Sequence, residues 1–365
     1  MSAQEKKFIK EYLKRMVALN RTIEGITSKT YNELNKLHKE IIKEIEREFG
    51  SVNSKTLKEL TKLLQNQIHE YHIEELRPSV NESFNSIITK ELVWTSGNLE
   101  IFTGTSANIL NSAVVANRAL KKTYQGHTFD FWFNAADKTS TTKLQNILRQ
   151  SYVSGATTQE AIQQVEAVLN RSGNDIKTLT RSYLHHASVQ AREETYAAND
   201  DVIDGFYWVS TLDHRTTANI CGIRDGKFYN SDHEPIGHSL PWGAGPGRIH
   251  FNCRSSSLAK VKGMPDVRDY ISRAAVESGE NYERGDNINR NGKVRKPNKK
   301  DRENGIFDVN QVDGKTTFET YLKAQKLDFI ADVLGNKKLA EDFKSGKIDL
   351  MQIALKGNAA ELNTL

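Results

Sequence analysis

Apolar residues recur at helical spacing from residue 4 to about residue 76, and no proline occurs before Pro78. Phe8, Tyr12, Leu13, Met16 and Val17 form one set, and Leu34, Leu37, Ile41, Ile42 and Ile45 a second. Side chains three and four positions apart share a helix face, so this spacing lays an apolar stripe along a helix. Charged residues fill the remaining faces, which commits the stretch to slender amphipathic helices in an antiparallel hairpin or bundle. Phe49-Gly50 interrupts it, and Ser54 is the expected cap of a following helix that carries Leu57, Leu60, Leu64, Ile68 and Tyr71. The whole chain has 365 residues, 37% of them hydrophobic, with a mean hydropathy of −0.61. That is long enough for two or three domains, but lean enough to favour thin helices over one thick globule.

Arg77-Pro78 marks a change to Ser, Thr, Asn and Ala, with an expected interruption at 94–104 and a helix at 107–122. An aromatic loop is predicted at 126–133, carrying Phe129, Phe131, Trp132 and Phe133. Leu144, Ile147 and Leu148 line the next helix, which Gly155 ends. Thr157 or Thr158 caps another, with Ile162, Val165, Val168 and Leu169 on its apolar face. A separate helix at 175–198 is rich in polar groups, among them Arg181, His185, His186, Arg192, Glu193 and Glu194. Periodicity then changes: residues 206–210 are aromatic and β-branched and read as a strand, and Asp225-Gly226 before Lys227-Phe228-Tyr229 reads as a hairpin turn. Thr317 onward is helical again, with Phe318, Tyr321, Leu322, Phe329, Ile330 and Phe343 as core positions.

The rare residues concentrate between Trp208 and Arg254. Both cysteines of the chain, Cys221 and Cys253, lie there with His250, two of the four tryptophans and three of the six prolines. Three chemistries compete for this segment. Cys221, His250 and Cys253 have the donor types of a zinc site, with Asp213, His214, His233 or His238 as candidates for a fourth ligand. Buried thiols and a hydrogen-bonded imidazole would serve equally as plain core. Cys221 or Cys253 could instead be a nucleophile with His250 as base, near Arg215, Arg248 and Arg254. Carboxylate chemistry through Glu193, Glu194, Asp200 and Asp213 competes with ordinary ion pairing to the neighbouring arginines. The Gly243–Gly247 loop contains Pro246, which lacks an N–H, and is not a phosphate cradle.

The formal charge is +5, a mild basic excess that suits acidic partners. Six cations (Arg290, Lys293, Arg295, Lys296, Lys299, Lys300) fall within 288–300 without an acid, so 281–303 is expected to be a solvated linker able to lie along phosphates. No run approaches the roughly 18 apolar residues of a membrane span. The first residues lack the apolar core of a signal peptide, and two cysteines make no disulfide framework, which points to synthesis in a reducing cytoplasm.

The order W-x-x-T-x-D-x-R-T (Trp208, Thr211, Asp213, Arg215, Thr216), then Cys221 with Asp225-Gly226-Lys227 and Tyr229, then His250, Cys253 and Arg254, resembles the phage Mu F-like head morphogenesis family. The polar helix 191–199, the helix pair around Gly155 and the tail segments 317–325 and 343–350 also resemble that family, so the likeness covers roughly 140–365. Together with the periodicity and composition above, it leads to the expectation of a mostly helical α+β chain: an N-terminal helical hairpin or arm (1–77), a helical connector (78–139), a small α+β Mu F-like domain (140–280), the basic linker (281–303) and a helical tail (304–365). It further implies a minor head protein of a tailed phage or prophage, made in the host cytoplasm and carried in the virion at the head interior or portal vertex. The implied partners are the portal protein, coat or scaffold proteins and packaged double-stranded DNA, with a role in head assembly or DNA delivery and no catalytic residues. The family often has a further cysteine near Cys221 and Cys-Arg-Cys at the end, where this chain has Ser255, which thins the zinc donor set. The cluster Asp213, Arg215, His250 and Arg254 remains, and is expected to be a structural clasp. The alternative is a toxin- or nuclease-like effector enzyme built on the same module.

Overall fold

The computed structural model describes residues 3–289 and 292–357. The chain is mostly helical α+β, and it divides into two compact units.

One unit comprises Ala18–Val93 and Leu110–Arg192 and is wholly helical. It holds most of α1 (Ala3–Glu48), then α2 (Ser54–Glu70), α3 (Arg77–Thr103) up to Val93, α4 (Ser112–Lys121), α5 (Phe129–Val153) and α6 (Thr158–Ala197) up to Arg192. The apolar stripes meet as expected. Ile41 and Ile45 of α1, Leu57, Leu60, Leu64 and Ile68 of α2, Leu144 and Leu148 of α5, and Ile162, Val165 and Leu169 of α6 form one core. The side chains of Phe8, Tyr12, Leu13 and Met16 lie outside the described set.

Several local expectations are corrected. Asn53 rather than Ser54 caps α2: its side chain accepts from the Lys55 and Thr56 N–H groups while the Thr56 hydroxyl accepts from the Asn53 N–H. The chain does not break at Arg77-Pro78, because the wide turn Tyr71–Leu76 absorbs the proline's missing donor and carries the helix into α3. Nor is there an interruption at Trp94, since α3 runs on to Thr103. Lys121 ends the α4 segment, which begins only at Ser112. The aromatic run is the first turn of α5, capped by the Thr128 hydroxyl, not a loop. Residues 175–198 are not a separate helix either. α6 passes straight through Ser172-Gly173-Asn174, and Gly173 serves a close crossing: a β-carbon there would lie 3.1 Å from the Tyr31 ring and 3.4 Å from that of His38.

The second unit takes in Trp94–Ile109 and the chain described from Glu193 onward, together with the start of α1. Its centre is an antiparallel sheet of β1 (Ile203–Val209), β2 (Phe228–Asn230), β3 (Pro235–Ile236) and β4 (Ser256–Val261), in the order β3-β2-β1-β4. Trp208 of β1 pairs with Ser257 of β4, and Phe206 with Tyr229 of β2. At the β1–β2 crossing, Gly205 (φ +155°) leaves no room for a β-carbon, which would meet the Tyr229 carbonyl oxygen at 2.2 Å.

A separate hairpin pairs β5 (Ser272–Ser278) with β6 (Phe307–Asp313). Between its strands lies the stretch 281–303, expected to be a linker. It folds back instead: Ile288 bridges Val294, Asn287 is fully buried, and α7 (Lys299–Glu303) closes it. The tail adds α8 (Phe318–Ala324), α9 (Leu327–Leu334), α10 (Lys337–Lys344) and α11 (Leu350–Gly357). Phe318, Tyr321, Leu322, Phe329, Ile330 and Phe343 pack with Leu212, Ile223, Leu240, Ala275 and Phe307 in one core. Residues 304–357 are therefore built into this unit, with a strand of their own. Among the described residues no helix is long and apolar enough to cross a membrane.

Candidate functional site

Two turns bring the rare residues together. The Thr217 carbonyl accepts from the N–H groups of Ile220, Cys221 and Gly222 at 3.3, 2.9 and 3.0 Å, which winds Ala218–Gly222 into a wide turn that buries Cys221. The second turn is closed by the Cys253 N–H donating to the His250 carbonyl at 3.1 Å, with Asn252 in the left-handed region at φ +61°. Such a four-residue turn brings its first and last residues close. The Cys221 sulfur lies 3.0 Å from His250 Nε2 and 3.6 Å from the Cys253 sulfur, and the three donor atoms lie within 4.8 Å of one another. The Gly247 N–H donates to the Cys253 sulfur at 3.2 Å. His250 Nδ1 is 2.8 Å from the Phe251 carbonyl, which can only accept, so Nδ1 carries a hydrogen and Nε2 faces the sulfurs.

The two thiols are not alike. Donating its S–H to Cys253, together with burial, pushes the Cys221 thiol up. At Cys253 burial also acts upward, but the hydrogen bonds from Cys221 and His250 outweigh it and bring this thiol down. His250 is raised: burial opposes its charge, and its contact with Cys253 prevails. Both cysteines are buried, at 2% and 1% exposure, whereas a nucleophile has to be reached by its substrate.

The clasp residues sort differently from expectation. Asp213 and Arg254 form a two-pronged pair at 2.5 and 2.8 Å. Asp213 also accepts from the Arg215 backbone N–H at 3.0 Å and the Thr216 hydroxyl at 3.3 Å. Burial alone would raise the Asp213 carboxyl, yet the Arg254 charge holds it well below the usual range. His250 belongs with the thiols. His214, His233 and His238 lie outside the three-donor group: His214 Nε2 bonds the Arg295 carbonyl, His233 stacks on Trp242 at 4.5 Å, and His238 bridges the Phe228 carbonyl and the Leu240 N–H. Glu193 pairs with Arg248 at 2.6 and 2.7 Å, while Arg192 pairs with Glu91, a residue from α3.

Residues 142–258 match the family model described as phage Mu protein F like protein. Over that segment the chain is similar to phage Mu F-like proteins. No curated protein and no solved structure matches it. The Mu F-like match begins inside α5 and ends inside β4, so it contains the donor triad, the Asp213–Arg254 pair and the Asp225-Gly226 turn. The family is one of phage head-morphogenesis proteins.

Some partners of the matched residues lie beyond it. Asp225 accepts from the Ser210 N–H at 2.6 Å, from both terminal nitrogens of Arg273 at 2.9 and 3.0 Å, and from the Phe318 N–H at 2.6 Å. Trp208 is fully buried at the centre of the aromatic core, with Arg224 stacked 5.8 Å above its ring. Gly226 (φ +78°) closes the turn against Thr317. Arg224 and Arg273 carried no signal in the sequence, because neither belongs to a recognisable spacing and their partners are backbone carbonyls or distant acids. Of the six cations on 288–300, Arg290 lies outside the described residues. Arg295 forks onto Asp301, the acid just past the basic run, at 2.5 and 3.1 Å. Lys299 faces Glu303 at 3.5 Å, and Lys293, Lys296 and Lys300 are exposed.

Proposed function

We propose that this protein is a minor head component of a tailed phage or prophage, carried in the virion at the portal vertex and in contact with packaged DNA during head assembly or delivery. The match over residues 142–258 carries the reading. It is supported by what the matched segment does with its polar residues: Asp213, Asp225 and Glu193 are consumed in ion pairs with Arg254, Arg273 and Arg248 that join separate parts of the chain. This is how a rigid assembly part uses charge. The DNA part of the reading rests on the exposed lysines Lys293, Lys296 and Lys300, which suit phosphate binding indifferent to sequence.

Purified particles test the location: mass spectrometry of DNA-filled heads is expected to find the protein in few copies, at the portal vertex by cryo-electron microscopy. Its absence from particles, with toxicity on expression in host cells, would favour the effector enzyme instead. For the DNA interaction, binding of a short duplex should weaken steeply with salt. Changing all three lysines to Gln should flatten that slope by roughly one unit for each phosphate no longer neutralised; an unchanged slope would remove this surface from the reading.

A further inference from the structure

We propose that Cys221, His250 and Cys253 bind one zinc ion. The observation is the convergence of three soft donors, delivered by two separate turns 29 residues apart in the chain, to within 4.8 Å of one another. A tetrahedral zinc with bonds of about 2.3 Å to sulfur and about 2.0–2.1 Å to nitrogen holds its sulfurs roughly 3.8 Å apart and each sulfur roughly 3.5 Å from the nitrogen. The two sulfurs stand at 3.6 Å, already at that span, and Cys221 Sγ and His250 Nε2 at 3.0 Å need open only by about half an ångström to meet it.

The surroundings fit a metal centre in two further ways. The Phe251 carbonyl holds Nδ1–H, so that once Nε2 gives up its proton its lone pair points at the sulfurs, which is the outer-shell arrangement of a metal-bound histidine. The Gly247 N–H donates to the Cys253 sulfur, a bond that stabilises a thiolate without occupying the lone pair needed for a metal. Two sulfurs and an imidazole select zinc over the oxygen-seeking cations. The fourth position falls to water, because Asp213, His214, His233 and His238 lie outside the donor group. On binding, the ion takes the place of the thiol hydrogens, which leave as protons. It then ties the 218–222 turn to the 247–253 loop.

The test uses the full chain, expressed with zinc and purified without chelator. Elemental analysis is expected to return one zinc per chain. Cobalt exchanged into the same protein should show the thiolate-to-cobalt charge-transfer band and the strong visible bands of a tetrahedral site. Cys221→Ser, Cys253→Ser and His250→Asn, each checked for native circular dichroism, should each weaken metal binding by more than the roughly 10–100-fold of an outer-shell change. Should a variant fail to fold, the wild type still decides: a mercurial reagent that caps thiols must release the zinc to a chromogenic chelator. Folded wild-type protein that takes up neither zinc nor cobalt would overturn the proposal. So would metal retained equally by all three folded variants, or a mass lower by two hydrogens that shows the cysteines joined in a disulfide.

Discussion

Asp213 shows what a single residue contributes here and how it can be measured. Its carboxylate is buried, and the Arg254 guanidinium is what keeps it charged. Arg254→Met should therefore cost about 3–5 kcal/mol, because it strands a buried anion, read as a drop in thermal midpoint. Asp213 has a folded pKa below its ordinary 3.8, so its contribution is complete above that value and is lost as pH falls toward the folded one. In Asp213→Asn this acid limb should disappear. His38 works in another pH range. Burial and then the nearby His72 lower it from 6.5 to about 4. Between those values the unfolded chain binds the proton that the folded chain refuses, so stability rises with pH from 4 to 6.5. The span corresponds to up to about 3 kcal/mol, and His38→Asn should flatten it in pH-dependent denaturation. Trp208, Asp213, Cys221, Asp225, His250, Cys253 and Arg254 stood out in the sequence because rare residues in fixed order leave a trace. The partnership of Asp225 with Arg273 left none, since an arginine 48 residues away carries no local mark.

At the scale of elements, long helices with clean stripes were readable, and their ends and joins were less so. The α1, α2 and α5 stripes fall where the 3.6 period puts them, because burying an apolar face is what holds those helices. The helix read at 175–198 proved to be the second half of α6, and Gly173 inside it shows that the residue able to end a helix also lets two of them approach closely; only the neighbouring Tyr31 separates the two uses. Gly173→Leu should accordingly destabilise the helical unit by about 1–3 kcal/mol, while native helix content persists in circular dichroism. Strands β4, β5 and β6 escaped the sequence reading for a different reason. Ser256-Ser257, Arg273 and the Asp308–Asp313 stretch have little β-branched alternation, and their pairing is fixed by partners elsewhere in the chain. Gly222 is a second close approach: a β-carbon would sit 2.6 Å from the buried Phe318 ring. Gly222→Ala should cost about 1–3 kcal/mol and, unlike Gly173→Leu, should act on the sheet-containing unit.

For the whole molecule, composition and motif order gave a mostly helical α+β chain and the family it resembles over residues 142–258; it was the division of labour along the chain that they hid. The segment after residue 303 reads as a helical tail set off by a linker, yet Phe307, Phe318, Phe329 and Phe343 share a core with Leu212, Ile223 and Leu240. A chain cut after residue 303 is therefore expected to lose cooperative unfolding of the sheet-containing unit and to be digested through 203–303 by a protease that spares the intact protein. The Asp225 carboxylate carries this dependence into biosynthesis. It leaves the ribosome 93 residues before the Phe318 amide that it must receive, an interval of roughly 5–20 s at ordinary elongation rates. Through that interval the anion has no full set of donors, and the segment around it has no finished interior. The newborn protein must wait for its own C-terminal helices before the part that identifies it can close.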